Sequence, residues 1–174
     1  MIIFVGILLL ITTFLILFVV LIFMTIAVSL FLELPYVATT NKRIETIIKF
    51  AKIKKNQTVI DLGSGDGRLL VKSAQLGAIA IGYEINPLLV LFTKLRAHLN
   101  GLSQKVIVNN KSLWNADLKV ADVIFVYALK KSMKKFDDFV FSGAKPGTRI
   151  VVNTNPFPGK KSQKEENGIF LYVT

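Results

Sequence analysis

Val59-Ile60-Asp61-Leu62-Gly63-Ser64-Gly65-Asp66-Gly67-Arg68 is the stretch that decides how this chain folds. A short apolar run rich in β-branched residues reads as a buried strand. It ends in three alternating glycines, and an apolar helical pattern begins at Leu69-Leu70. Glycines there allow the backbone to approach a bound molecule where a Cβ would collide. The helix that follows offers its unpaired N–H groups to the same molecule.

Outward from this loop the pattern repeats. Strands are expected at 58–62, 78–83, 105–109, 122–127, 149–153 and 169–173, with helices at roughly 67–75, 87–99 and 130–141. Short apolar strands alternating with helices predict an α/β domain with a doubly wound, mostly parallel Rossmann-like sheet. The polar segment 154–168, with its prolines and glycines, reads as a mobile loop. Only one clear strand follows it, so the sheet is expected to be shortened at the C-terminus.

Three ligand classes use glycine loops of this kind. A P-loop ends in Gly-Lys-Ser/Thr, whereas Gly67 is followed by Arg68-Leu69. A dinucleotide fingerprint needs a glycine or alanine where Arg68 stands. The remaining pattern is D-x-G-x-G-x-G, with Asp61 two residues before the first glycine. That acid suits a ligand with an ammonium group, such as the amino-acid end of S-adenosylmethionine. Gly63, Ser64, Gly65 and Gly67 would line the loop. Glu84, ending the second strand about 20 residues on, is positioned to accept both ribose hydroxyls. Ile85 would lie against the adenine face. After the third strand, Ser112 or a backbone N–H could read the adenine edge, and Leu113 or Trp114 could pack on the ring. Trp114 reads equally well as core.

The first 32 residues carry no charged side chain, and the first charge is Glu33. A helix of that length reaches ~48 Å, beyond the ~30 Å hydrocarbon core of a bilayer. Basic residues cluster after it, at Lys42, Arg43, Lys49, Lys52, Lys54 and Lys55, against Glu45 alone. The positive-inside rule then gives a single-pass protein of the cell membrane, with its C-terminal domain in the cytoplasm on the anionic inner leaflet. The organisation expected is a transmembrane helix over 1–32, a juxtamembrane linker with a basic amphipathic helix over 33–56, and a ligand-binding domain over 57–174. Pro35-Tyr36 should break the first helix, with Thr40 or Asn41 capping the second. Ile44, Ile47, Ile48 and Ala51 form its apolar stripe.

The whole chain has 22 Lys and Arg against 11 Asp and Glu among 174 residues, and no cysteine. The missing cysteines exclude disulfides and thiol chemistry. With His98 as the single histidine, no metal site is expected.

The run from Pro35-Tyr36-Val37 through DLGSGDGRLL, GYEINPLLV, ADVIFVYAL and AKPGTRIV resembles the small seven-strand (class I) S-adenosylmethionine-dependent protein-lysine methyltransferases with an N-terminal hydrophobic segment. Mitochondrial members of that family modify the ATP synthase c-subunit and the adenine nucleotide translocase. The resemblance covers residues 35 to about 153. It implies that Asp61, Gly63, Gly65, Gly67, Glu84 and Asn86 contact the cofactor. It also implies lysine methylation of a protein in or near the membrane. The chain departs from the family at Ser112, where an acid is usual, and at Ala38-Thr39-Thr40, where a proline-rich turn is usual.

Methyl transfer needs donor and acceptor held in line, largely a matter of orientation. At the end of the fourth strand, Tyr127 could orient an amine or stack on the cofactor; a packed tyrosine is an equal reading. The Asn/Asp-Pro-Pro-aromatic motif of enzymes acting on planar nitrogens is missing there, and Asn155-Pro156-Phe157 follows the fifth strand instead. No nucleic-acid acceptor is therefore expected. Lys130, Lys131, Lys134 and Lys135 begin the next helix against the preference of its dipole, as a basic rim or a solvated face. Two other functions fit the same residues: methylation of a lipid or isoprenoid, and a non-catalytic membrane-tethered module that binds S-adenosylmethionine.

Overall fold

A computed structural model describes the backbone of residues 2–31 and 40–174, and the side chains of 4–24 and 40–174. The expected break at Pro35-Tyr36 and the turn at Ala38-Thr39 lie outside the described residues. The chain divides into two compact units, Met1–Tyr36 and Val37–Thr174.

The first unit is helix α1, Ile2–Phe31. Within it Phe4–Met24, 21 residues, is long and apolar enough to cross a membrane, and its side chains are not buried. The hydroxyls of Thr12 and Thr13 both donate to the Leu9 carbonyl, which removes the only polar side chains of that stretch from competition with the backbone.

The second unit holds helices α2 (Asn41–Ala51), α3 (Arg68–Gln75), α4 (Pro87–Leu99) and α5 (Met133–Gly143). Its strands are β1 (Thr58–Leu62), β2 (Ile79–Tyr83), β3 (Val106–Asn109), β4 (Val123–Tyr127), β5 (Arg149–Asn153), β6 (Lys164–Glu166) and β7 (Ile169–Val173). They form one seven-stranded sheet in the order β3-β2-β1-β4-β5-β7-β6. β1 to β5 are parallel, and β7 runs antiparallel to β5 and β6. Strand order runs outward from β1 to β3 on one side and from β4 to β5 on the other, so the C-terminal ends of the parallel neighbours β1 and β4 form a switch point, where open α/β sheets bind ligands.

Val59, Val123, Phe125, Val151, Ile169 and Leu171 share a core with Ile47, Phe50 and Ala51 of α2. Ala80 and Val106 share another with Leu70, Val71 and Ala74 of α3 and Ala97 of α4. Period-2 alternation sends Ile60, Ile124 and Ile150 to the other face, which the right-handed β4–β5 crossover covers with α5. α2, grouped by sequence with the juxtamembrane linker, thus contributes to the core of the sheet. Thr40 is its N-cap residue, without a side-chain cap hydrogen bond.

Two expectations about the C-terminal part are corrected. Segment 154–168 is pinned, not a mobile loop: Phe157 is buried between Phe141 and Tyr172, and its N–H donates to the Tyr172 hydroxyl. Lys49 pairs with Glu166 at 2.7 Å, and Asn167 Nδ2 donates to Thr46 Oγ1. The same segment also contains β6, so two strands follow residue 154. The shortening lies instead in a three-residue β6 and in a β5–β6 connection without a helix.

Candidate functional site

The loop after β1 places Gly63, Gly65 and Gly67 all at positive φ, between 55° and 87°. At Gly67 the need for glycine is steric as well, because a Cβ would stand 2.3–2.9 Å from three side-chain atoms of Thr93. At Gly63 a Cβ would meet nothing closer than Leu113 Cδ2, at 4.0 Å. That face of the loop is open, and it sits at the switch point. The N–H groups of Gly63 and Ser64 both donate to the Tyr83 carbonyl of β2.

Asp61 is buried at the end of β1, and its carboxyl is pushed up to about 7, first by burial and then by the charges of Glu84 and Asp66. A buried carboxyl next to two acids has a net deficit of positive charge. A ligand ammonium placed there would supply it.

Glu84 follows β2 and is half-buried. Its Oε2 accepts from the Gly65 N–H at 3.0 Å and its Oε1 from the Asn86 N–H at 2.8 Å. Asn110 Nδ2 donates to the carbonyls of Glu84 and Ile85. The acid is therefore aimed by three chain segments, and each oxygen keeps acceptor capacity for a ribose hydroxyl. Ile85 is exposed beside it. Asn86 spends its Oδ1 on capping α4, accepting from the Leu88 N–H. The Ser64 side chain fills the hole above Gly82, where a Cβ would approach its Oγ to 2.6 Å. That Oγ is buried without a hydrogen-bond partner, while the Ser64 N–H is spent on Tyr83 and its carbonyl accepts from the Gly67 N–H, so Ser64 shapes the loop.

Leu113 is buried facing the glycine loop, and Ser112 is the N-cap residue of a 3-10 turn at Leu113–Asn115. Trp114 resolves as packing: its ring lies 4.7 Å from Phe136 and 5.2 Å from Phe139, with Lys135 Nζ 4.0 Å above it. Lys134 pairs with Asp138 at 2.5 Å, so Lys134 and Lys135, in the first turn of α5, are both engaged within the domain. Tyr127, half-buried, ends β4 opposite Asn153 of β5.

Several supports had no sequence signal. Thr93 Oγ1 donates to the Gly65 carbonyl at 3.1 Å, and Arg96 Nη2 and Arg68 Nε both donate to Asp66 Oδ2. α4 thereby braces the loop from outside. Asn155 Nδ2 donates to the Ala128 carbonyl just past Tyr127, so the segment after β5 closes over the end of β4.

A sequence model described as the ANTKMT methyltransferase domain matches residues 61–164 of this glycine-loop, acid and α4 arrangement. The chain belongs to the ANTKMT methyltransferase domain family. The match to this family starts at Asp61 and runs through Glu84 and Tyr127 to the first residue of β6. The chain is 28% identical over 125 residues to the human lysine N-methyltransferase of the ATP synthase c-subunit, covering 72% of this chain and 53% of that protein. It thus spans about half the length of that relative. A protein-lysine N-methyltransferase of Saccharolobus islandicus is 27% identical over 151 residues, covering 81% of this chain and 94% of its own. Among solved structures, an RNA methyltransferase of Salinibacter ruber in complex with S-adenosyl-L-homocysteine superposes with a TM-score of 0.75 at 26% identity. That superposition covers 79% of this chain and 93% of the other. The ANTKMT methyltransferase domain thus keeps, in this chain, a complete seven-stranded sheet without a long helix between β3 and β4.

Proposed function

We propose that this chain is an S-adenosylmethionine-dependent methyltransferase acting on a lysine side chain of a membrane or membrane-associated protein, with α1 as its membrane anchor. The observation that carries the reading is the buried Asp61 carboxyl beside two further acids, at the open face of Gly63. S-adenosylmethionine fits this charge pattern, with its ammonium toward Asp61 and its ribose toward Glu84. When bound, it supplies an electrophilic methyl group on a sulfonium centre.

The residues of the chain supply position and exclusion of water. Gly63, Gly65 and Gly67 let the backbone close on the ligand, Ile85 and Leu113 give apolar contact on either side of its base, and Ser64 and Asn86 hold the two loops in shape. Ser112 stands at the edge of the same base. Tyr127, at the end of β4, is the group to orient an incoming amine, whose lone pair must point along the sulfonium–methyl axis. The names of the two similar lysine methyltransferases support a lysine acceptor, and the apolar 21-residue stretch of α1 supports a membrane setting.

The test is calorimetric titration of the full chain in detergent with S-adenosylmethionine and separately with NAD, followed by labelled-methyl transfer into membrane extracts. Binding of S-adenosylmethionine alone, with label on protein lysines, is the expected result. Label appearing in RNA or lipid would replace the acceptor; no binding by folded protein would remove the enzymatic reading.

A further inference from the structure

We infer that the outer face of α4 is a second membrane contact, an interfacial docking surface for anionic lipid. Leu91, Phe92, Leu95 and Leu99 are exposed by 62%, 59%, 50% and 75%. With the half-buried Leu88 they fall within an arc of roughly 100° on the helix at 3.6 residues per turn. The opposite side is formed by Val90, Thr93 and Ala97, all buried. A surface helix normally turns its polar side outward. This one buries small and medium side chains and presents its largest apolar ones.

The charge around the stripe selects the occupant. Lys94 and His98 flank it on one side, and on the other stands Arg96, whose guanidinium is held by Asp66 at 2.9 Å. From Ile85 to Ala116 the chain has no acid, while Lys94, Lys105 and Lys111 are all exposed. This flank of the domain, which ends in the edge strand β3, is apolar and cationic together. That combination is the signature of a helix lying in the headgroup region of an anionic bilayer. Each basic side chain near such a surface adds to the attraction. A second copy of the chain fits less well. A helix face about 20 Å long and about 10 Å wide offers ~200 Å², against the ~800 Å² per partner of a stable interface. Two copies would also bring the Lys94 side chains of both, like charges, to the same interface.

The inference rests on the membrane setting proposed above only for concentration, since a tether keeps the domain near the surface it would dock on. Because α4 begins directly after Glu84, Ile85 and Asn86, docking would hold the rim of the ligand cleft at headgroup level. Amines that emerge from the bilayer would be in reach there.

The absence of cysteine makes the test clean. Single cysteines at Leu95→Cys, Leu15→Cys and Lys164→Cys in the full chain are spin-labelled and reconstituted in nanodiscs, of phosphatidylcholine alone or with phosphatidylserine. Accessibility to oxygen and to a water-soluble nickel chelate is then read at each. With phosphatidylserine, the Leu95 label should lose nickel accessibility and gain oxygen accessibility relative to the Lys164 label. Adding Lys94→Glu and His98→Glu should restore nickel accessibility. A Leu95 label as nickel-accessible as Lys164 in both lipids overturns the inference. If the Leu15 label is then lipid-buried, the anchor reading survives that failure; if it is water-exposed, the anchor reading falls too. Protection of Leu95 accompanied by label–label broadening would assign the face to a second copy and also overturn it.

Discussion

The peptide N–H of Gly65 donates to Oε2 of Glu84 at 3.0 Å, joining the glycine loop after β1 to the acid after β2. The two halves of the ligand site are therefore one mechanical unit. A substitution in either one moves the other.

This joint separates two variants of Glu84. Glu84→Ala removes the ribose acceptor and strands the N–H groups of Gly65 and Asn86, whereas Glu84→Gln keeps an oxygen for one of them. Calorimetry should show S-adenosylmethionine affinity falling about 100-fold or more in the alanine variant, the equivalent of ~3 kcal/mol for charge-assisted bonds. The glutamine variant should lose less and keep the thermal stability of the parent more closely.

Asp61 gives a pH dependence whose sign is fixed. Its carboxyl titrates at about 7 in the folded chain, against 3.8 for the ordinary group. Between those values the native state holds the proton that the unfolded state releases, so this group's contribution to stability is full below about pH 4 and is lost as pH rises through about 7. An ammonium ligand prefers the ionised carboxylate. Its affinity should rise about tenfold per pH unit up to about pH 7 and flatten above. Asp61→Asn should abolish that slope, read by titration in buffers across the range.

Gly67 and Gly147 both have positive φ, at 75° and 82°, but only Gly67 faces a neighbour within 4 Å. Gly147→Ala should cost about 1 kcal/mol, the backbone term alone. Gly67→Ala should cost about 3 kcal/mol by adding overpacking against Thr93, and it should weaken ligand binding with it. Denaturant unfolding of the two variants makes the comparison, and Thr93→Gly, which removes the clashing atoms, should cost less in the Gly67→Ala background than in the parent.

Phe157 tests the pinned C-terminal segment. Its ring is buried against Phe141 and Tyr172, so Phe157→Ala should cost ~3–5 kcal/mol. Were 154–168 loosely held, the midpoint of unfolding would barely move.

The local features of the domain were legible in the sequence because they are written in neighbouring residues. β1, β5 and β7 begin and end where the alternation of apolar residues predicts, and the glycine–acid pattern from Asp61 to Glu84 marks the site. β6 was not legible, since Lys164-Glu165-Glu166 has no apolar residue and becomes a strand only by pairing with β7. Charges on such an edge guard it against further pairing. The pinning of 154–168 depends on Thr46, Lys49 and Tyr172, far away along the chain. Nor did α4 declare its outer face, because apolar residues occupy both sides of its helical wheel. The sequence by itself determined the strand–glycine-loop–helix unit, the spacing of its acids and the apolar α1, all set by local sterics and periodicity. Tertiary structure alone decided which side of α4 is left uncovered, which loops brace Glu84 and how far Asp61 is removed from water. Those depend on strand order and burial, which arise only when distant segments meet.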